Sequence, residues 1–176
     1  MRALVTGAGA RLGQAMALYL GARGYDVAVH YSSSEEGANE TVTLLKAMGR
    51  IAVTLKADLL DEGETEALLP AAANALGGPI TCLINNASIF EYDSITSATR
   101  KSWDRHIGSN LRAPFILTQA LAAQAPMTAT DANGEPMAQA LIINMLDQRI
   151  HKLTPEFMTY TIAKMGLWAL TQTSAQ

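Results

Sequence analysis

Short apolar runs alternate along the chain with longer stretches whose apolar residues recur every three or four positions. The runs at 3–5, 26–31, 51–56, 80–84 and 141–145 predict strands. Their nearly unbroken hydrophobicity is that of parallel strands covered on both faces. Helical spacing fills the gaps: Met16, Leu18, Tyr19 and Leu20 in a first helix, residues 34–48 in a second, a third ending near Leu76, and a fourth over 103–121. Gly49 suits the C-cap of the second helix, and Gly77-Gly78-Pro79 forbids continuation of the third. Pro114 should kink the fourth and free a carbonyl near Asn110. Thr154 and Pro155 read as N-cap and first residue of a last helix that carries Tyr160 and Lys164, four apart, on one face. Residues 128–136, rich in Thr, Asp, Asn and Gly, form the loop expected to be most flexible. This alternation predicts an α/β fold, a Rossmann-like doubly wound parallel sheet flanked by helices, in one domain over 1–176.

Composition narrows the partners. The 176 residues carry a net charge of -3, which excludes a polybasic nucleic-acid surface. Hydrophobic residues make up 49% but never reach the ~18 to 20 consecutive positions of a membrane span. The apolar run after Arg2 breaks at Thr6-Gly7, too short for the core of a signal peptide. The single Cys82 allows no internal disulfide, so a cytoplasmic location is expected. With no base near it in sequence, Cys82 reads as a small core residue.

Chemistry gathers where strands end. Thr6-Gly7-Ala8-Gly9-Ala10-Arg11-Leu12-Gly13 lies between the first strand and the first helix. There glycines permit a tight turn, close approach of a pyrophosphate and tight helix packing, and the helix start offers free N–H groups to phosphates. At the end of the second strand, His30-Tyr31-Ser32-Ser33-Ser34 contains no acid before Glu35. An acid there would accept from a ribose 2′-hydroxyl; hydroxyls, a histidine and Arg11 suit a 2′-phosphate, while one serine also caps the following helix. Asp58 either accepts from an adenine amino group or caps the next helix together with Asp61. Asn85-Asn86-Ala87-Ser88 ends the fourth strand, where open parallel sheets bind ligands, and suits a nicotinamide riboside or an ordinary turn. Phe90 offers a flat wall. Asp147 follows the last strand, and Tyr160 beside Lys164 makes a proton donor.

Taken together, these residues resemble the short-chain dehydrogenase/reductase family over essentially the whole chain. The cofactor loop is matched by residues 6–13, the adenine contact by Asp58, the strand-four motif by Asn85-Asn86-Ala87, and three tetrad positions by Asn110, Tyr160 and Lys164. Two positions depart from the usual pattern: Arg11 stands where a glycine is usual, and Asp147 where a catalytic serine is usual. Both changes occur in the pteridine reductase branch, which the chain further resembles in His30-Tyr31, Ser88-Ile89-Phe90 and Asn144-Met145. Bacterial relatives there reduce dihydromonapterin or dihydrofolate.

That resemblance implies NADPH as cofactor, held by Thr6, Gly7, Arg11, Leu12, Gly13, His30, Tyr31, Ser32, Ser33, Asp58, Leu59, Asn86, Ala87, Ser88, Tyr160 and Lys164. It implies a small-molecule substrate against Ser88, Phe90, Asp147 and Tyr160, with Asn110, Asp147, Tyr160 and Lys164 as the catalytic set. Lys164 and the nicotinamide are expected to lower the Tyr160 phenol toward neutrality, and Asn110 to hold a water that relays protons to Lys164. No metal is expected. An ionised Asp147 suits a pterin-like C=N substrate, because it would repel the oxyanion of a ketone. The alternatives are a ketone or 3-oxoacyl reductase, and a nucleotide-binding protein without turnover. Relatives continue through two further strands beyond the position of Gln176, so the sheet is expected to lack its C-terminal strands. By the same resemblance the chain is expected to form a homodimer or homotetramer.

Overall fold

In the computed structural model, residues 1–175 are described. Five parallel strands form one sheet in the order β3-β2-β1-β4-β7, built from β1 (Arg2–Val5), β2 (Asp26–Tyr31), β3 (Ala52–Lys56), β4 (Cys82–Asn85) and β7 (Leu141–Asn144). Between them lie α1 (Arg11–Ala22), α2 (Glu35–Ala47), α3 (Glu62–Ala75), α4 (Arg100–Ile107) and α5 (Ala113–Gln124), and α6 (Met158–Thr173) closes the described chain. The order reverses at β1, which pairs with β2 on one side and β4 on the other. Ligand crevices form at such a point, outside the carboxyl ends of the strands.

The pleat explains why the central strands are apolar throughout. Val5, Val29 and Ile84 face one way and pack with Ala17, Leu20 and Leu45 of α1 and α2. Leu4, Ala28 and Leu83 face the other and pack with Leu68, Leu69 and Leu117 of α3 and α5. Each fully buried Leu or Val stabilises the fold by roughly 1.5 to 3 kcal/mol relative to exposure.

Strand β7 departs from expectation. It was expected to be covered on both faces, yet it is the sheet edge. Ile142 packs into the α3–α5 side, whereas Leu141 and Ile143 remain 52% and 38% exposed. Its hydrophobicity is thus only partly used. The loop expected over 128–136 folds into a small exposed hairpin, β5 (Ala129–Thr130) against β6 (Pro136–Met137). Asp131 organises its turn by accepting from Asn133 N and Glu135 N.

Three boundaries also shift. α4 begins at Arg100, ahead of Trp103, because Thr99 and Ser102 form a reciprocal capping box. Pro114 lies within backbone that stays helical from Arg100 to Gln124, and the distortion expected near Asn110 takes the form of a π-helical turn, Gly108–Arg112, which carries Asn110 just ahead of the proline. Thr154 and Pro155 do not start the last helix, which begins at Met158 behind Phe157, whose backbone is left-handed at φ 55°.

Candidate active site

The turn after β1 is held by protein contacts on every side. Gly7 takes φ +63°, a left-handed conformation natural to glycine, and its N–H donates to His30 Nδ1 at 3.0 Å. The other ring nitrogen, Nε2, then carries the proton and donates to Ala57 O at 3.1 Å. Burial lowers the pKa of His30, so the neutral ring pins the loop between two strands. His30 was expected to help hold a phosphate; instead, both its nitrogens are spent inside the protein. Thr6 also departs from expectation as a cofactor contact. Buried to 1% exposure, its Oγ1 accepts from Asn86 N at 2.9 Å and Ala87 N at 3.0 Å. Asn86 Nδ2 in turn donates to Thr6 O and Gly7 O. The Thr6 and Asn86 side chains therefore tie β1 to the end of β4.

Around this frame opens a cleft of about 800 Å³ lined by Gly7, residues 9–13, the β2 end from His30 to Ser34, Asp58 to Leu60, Asn86 to Ile89, Arg105 and Ser109. Apart from Thr6, Tyr160 and Lys164, every residue expected at a cofactor contributes to its walls. Sequence reasoning passed over Leu60, Arg105 and Ser109, and named Gly9, Ala10, Ser34 and Ile89 only as members of their motifs. Arg105 carries no local signal of a site and is placed by its pair with Glu91 at 2.7 Å. The first turn of α1 faces this cleft with no side-chain cap and no acidic residue. Arg11 opens that turn with φ 47°, a left-handed backbone that costs a non-glycine residue roughly 1 to 2 kcal/mol. Ser34 stands at the start of α2 without a side-chain cap bond, so none of the three serines was found to cap it. Asp61 caps α3 by accepting from Glu64 N at 2.9 Å, and Asp58 accepts from Leu60 N at 3.0 Å.

At the carboxyl end of β7, the expected proton-transfer group comes together. Tyr160 Oη donates to Asp147 Oδ2 at 3.1 Å. Burial, and then the neighbouring carboxylate, push the phenol up to about 12. The phenol of this chain thus lies above its ordinary value and not below it, and Lys164 is not its hydrogen-bond partner. Its Nζ donates to Met145 O at 2.7 Å and stands 5.7 Å from the Tyr160 ring centroid. Burial pulls Lys164 down to about 8. Burial also works against the charged form of Asp147, but Arg149 N and the Tyr160 hydroxyl donate to it, and the Arg149 charge adds to them. The net effect holds Asp147 below its usual value. Asn110 is fully buried; its Oδ1 accepts from Ile89 N and its Nδ2 donates to Ile89 O, both at 2.8 Å. Its side chain thus clamps the segment after β4 rather than standing free to hold a water.

Three further residues shape this half. Phe157 stacks on Phe90 with centroids 4.1 Å apart and planes 7° from parallel, and Phe90 meets the Tyr160 ring edge-on at 4.7 Å. The Arg149 guanidinium lies over both phenylalanines, 5.3 and 4.8 Å from their centroids. Asp93, buried to 1% exposure, supplies the cap that α6 lacks: its Oδ1 accepts from Thr159 N at 3.1 Å, and its Oδ2 accepts from the Thr159 hydroxyl. Behind it, Glu91 N donates to His106 Nε2, so His106 Nδ1 carries the proton and donates to Thr159 Oγ1 at 2.6 Å. Nothing local in the sequence marked Asp93, Arg149 or Phe157 for these places. Among the described residues no cluster of His, Cys, Asp or Glu could hold a metal.

With this geometry in view, the comparisons with known proteins fall in one family. The family model described as short chain dehydrogenase matches residues 1–176. The 3-oxoacyl-[acyl-carrier-protein] reductase FabG of Staphylococcus aureus is 30% identical over 99% of this chain and 67% of its own length. The 3beta-hydroxysteroid dehydrogenase 1 of Eggerthella lenta is 32% identical over 98% of this chain and 62% of its own. The crystal structure of FolM Alternative dihydrofolate reductase 1 from Brucella suis in complex with NADP superposes with a TM-score of 0.87. It is 32% identical and covers 98% of this chain and 67% of that one. The chain thus spans about two thirds of the length of these relatives. A match over the whole sequence, joined to the five-stranded sheet and the Tyr160–Lys164 helix at its edge, assigns the chain to the short-chain dehydrogenase/reductase family.

Proposed function

We propose that the chain is the cofactor-binding and proton-transfer part of an NADPH-dependent reductase, acting on a flat, pterin-like C=N substrate. The observation that carries this reading is the hydrogen bond from Tyr160 Oη to the ionised Asp147 carboxylate, set edge-on to the exposed Phe90 ring.

The cleft fits a phosphorylated dinucleotide. The uncapped first turn of α1 has N–H groups for a diphosphate and no acid to repel it. Arg11, Ser32 and Ser33 would hold a 2′-phosphate, and the strained backbone of Arg11 supports a use for its side chain there. Asp58 and Leu59 would meet the adenine, and the segment from Asn86 to Ser88 the nicotinamide side. When bound, the cofactor supplies the hydride.

The chain's own groups manage the protons. Tyr160 is neutral throughout the physiological range and keeps its proton available at Oη. Ionised Asp147 accepts from that hydroxyl and would accept from an N–H of the substrate ring. Lys164, lowered by burial, exchanges protons nearer neutrality than an ordinary lysine and would meet the nicotinamide ribose. The Phe90–Phe157 platform gives a planar ring an apolar surface and excludes water from one side.

A second reading, a carbonyl reductase, draws support from Arg149. Its charge beside Asp147 offsets the carboxylate and weakens the repulsion of an oxyanion. Substrate-dependent NADPH oxidation with dihydropterins, dihydrofolate and a panel of ketones separates the two. Turnover of dihydropterins is expected; turnover of ketones alone overturns the C=N reading. The expected homodimer or homotetramer is checked by light scattering on the same protein.

A further inference from the structure

Arg149 is the charged group of this site that the reaction above leaves unemployed. A guanidinium carries five N–H donors and stays ionised at any working pH. Here the side chain is 19% exposed, and its nearest acid is Asp147 Oδ1, 3.5 Å from Nη1. Its Nε is buried and has no hydrogen-bond partner among the described residues. The guanidinium is held by faces rather than by acceptors, over the rings of Phe90 and Phe157. Burying Nε without a partner beside one loose ion pair costs free energy unless an acceptor arrives.

The surroundings name the acceptor. Asp147 and Arg149 stand at the Tyr160 hydroxyl and Lys164 beside its ring, while Asp93, the other carboxylate of this half, is spent on Thr159. Asp147 already receives the Tyr160 hydroxyl and the Arg149 backbone N–H, and Lys164 is bound to a neutral carbonyl. Arg105 and Glu91, at the margin of the cleft, neutralise each other. The Arg149 guanidinium is therefore the charged group here with a donor left unpaired among the described residues, and it lies on an aromatic surface. Such an arrangement receives a planar ring bearing an anionic oxygen, with the ring on the phenylalanines and the oxygen on the guanidinium.

We infer that Arg149 is a specificity-determining residue that binds a carboxylate carried by a planar aromatic or heteroaromatic substrate. The inference rests on the reading that a flat substrate lies against Phe90, and extends it to the substrate's charge.

The test is equilibrium binding of three fluorescent probes, pterin-6-carboxylate, pterin and 2-naphthoate, to the NADP-loaded protein and to its Arg149→Met and Arg149→Lys variants. Arg149→Met should weaken both carboxylates about 30-fold, the loss of a charge-assisted hydrogen-bond pair, and change pterin by less than about threefold. Arg149→Lys should restore part of the loss, and NADP affinity should be the same in all three proteins. Equal carboxylate affinity in the parent and the Met variant overturns the inference, as does failure of every planar carboxylate to bind the parent. If the parent rejects both pterins yet binds 2-naphthoate through Arg149, the pterin reading falls and the role of Arg149 stands.

Discussion

The two halves of the site are built on opposite terms. Around the β1 turn, His30 and Thr6 spend their polar atoms on the protein's own backbone, and both faces of the strands are covered. Around the end of β7, the strand is an edge, a guanidinium nitrogen is buried without a partner, and Phe157 holds a left-handed backbone. The first half has its side chains tied down and offers a ligand the backbone N–H groups of α1 and the strained Arg11, which suits a cofactor of constant shape. The second offers a side-chain donor and an aromatic face, which suits a partner that contributes its own acceptors. Strained and unsatisfied groups gather where a protein does chemistry, because elsewhere nothing offsets their cost.

Removing the hydroxyl proposed to react should give the largest effect. Tyr160→Phe deletes the proposed proton donor while leaving the ring against Phe90, so turnover should fall about 10³-fold. Cofactor affinity, which belongs to the other half, should hold within about threefold by fluorescence titration. Retained turnover removes Tyr160 from its proposed role.

Next in size is the cap of α6. Asp93→Ala takes the acceptor from Thr159 N and from the Thr159 hydroxyl, which also serves His106. Leaving those buried donors unpaired should cost about 3 kcal/mol in urea unfolding. The ordinary exposed cap of α3, in Asp61→Ala, should cost about 1 kcal/mol. Equal costs would show that the buried network contributes nothing beyond a common cap.

Smaller again, Arg11→Gly pits the two uses of one residue against each other. Glycine relieves the left-handed backbone but brings its own entropy cost, for a net gain of about 0.5 kcal/mol in stability. NADPH affinity should fall about 10-fold while NADH affinity stays level. Unchanged preference between the two cofactors removes Arg11 from the 2′-phosphate.

How far each half was legible follows from the range of its contacts. Strands β1 to β4 begin and end within two residues of their apolar runs, because their partners are strands of the same pattern. Asp147 and Tyr160, thirteen residues apart, meet as their positions after a strand and on a helix implied. The start of α6 was misplaced because Thr154-Pro155 is a sound local signal, yet the cap comes from Asp93, 66 residues away from Thr159. His30 looked like a phosphate ligand because composition says nothing of burial. Arg149 was passed over for the converse reason, since a lone arginine after a strand reads as solvent-exposed. The left-handed backbone of Phe157 has no residue signature of the kind glycine provides.

The finest probe of the second half is the phenol itself. Because the Tyr160 pKa is about 12 in the folded chain, above an ordinary tyrosine near ~10, the folded state binds more protons between those values. The stability that this proton contributes is intact below about 10 and is lost as pH rises toward 12. Burial is the larger cause and the Asp147 carboxylate the next. Asp147→Asn removes the charge but not the burial, so the tyrosinate absorbance at high pH, taken as the difference from Tyr160→Phe, should appear earlier without reaching the ordinary range. The loss of stability in alkali should then begin to level off at lower pH. A phenol that titrates unchanged in the Asn variant would mean that Asp147 and Tyr160 are neighbours without being an electrostatic pair. The proton-transfer half would then rest on burial alone.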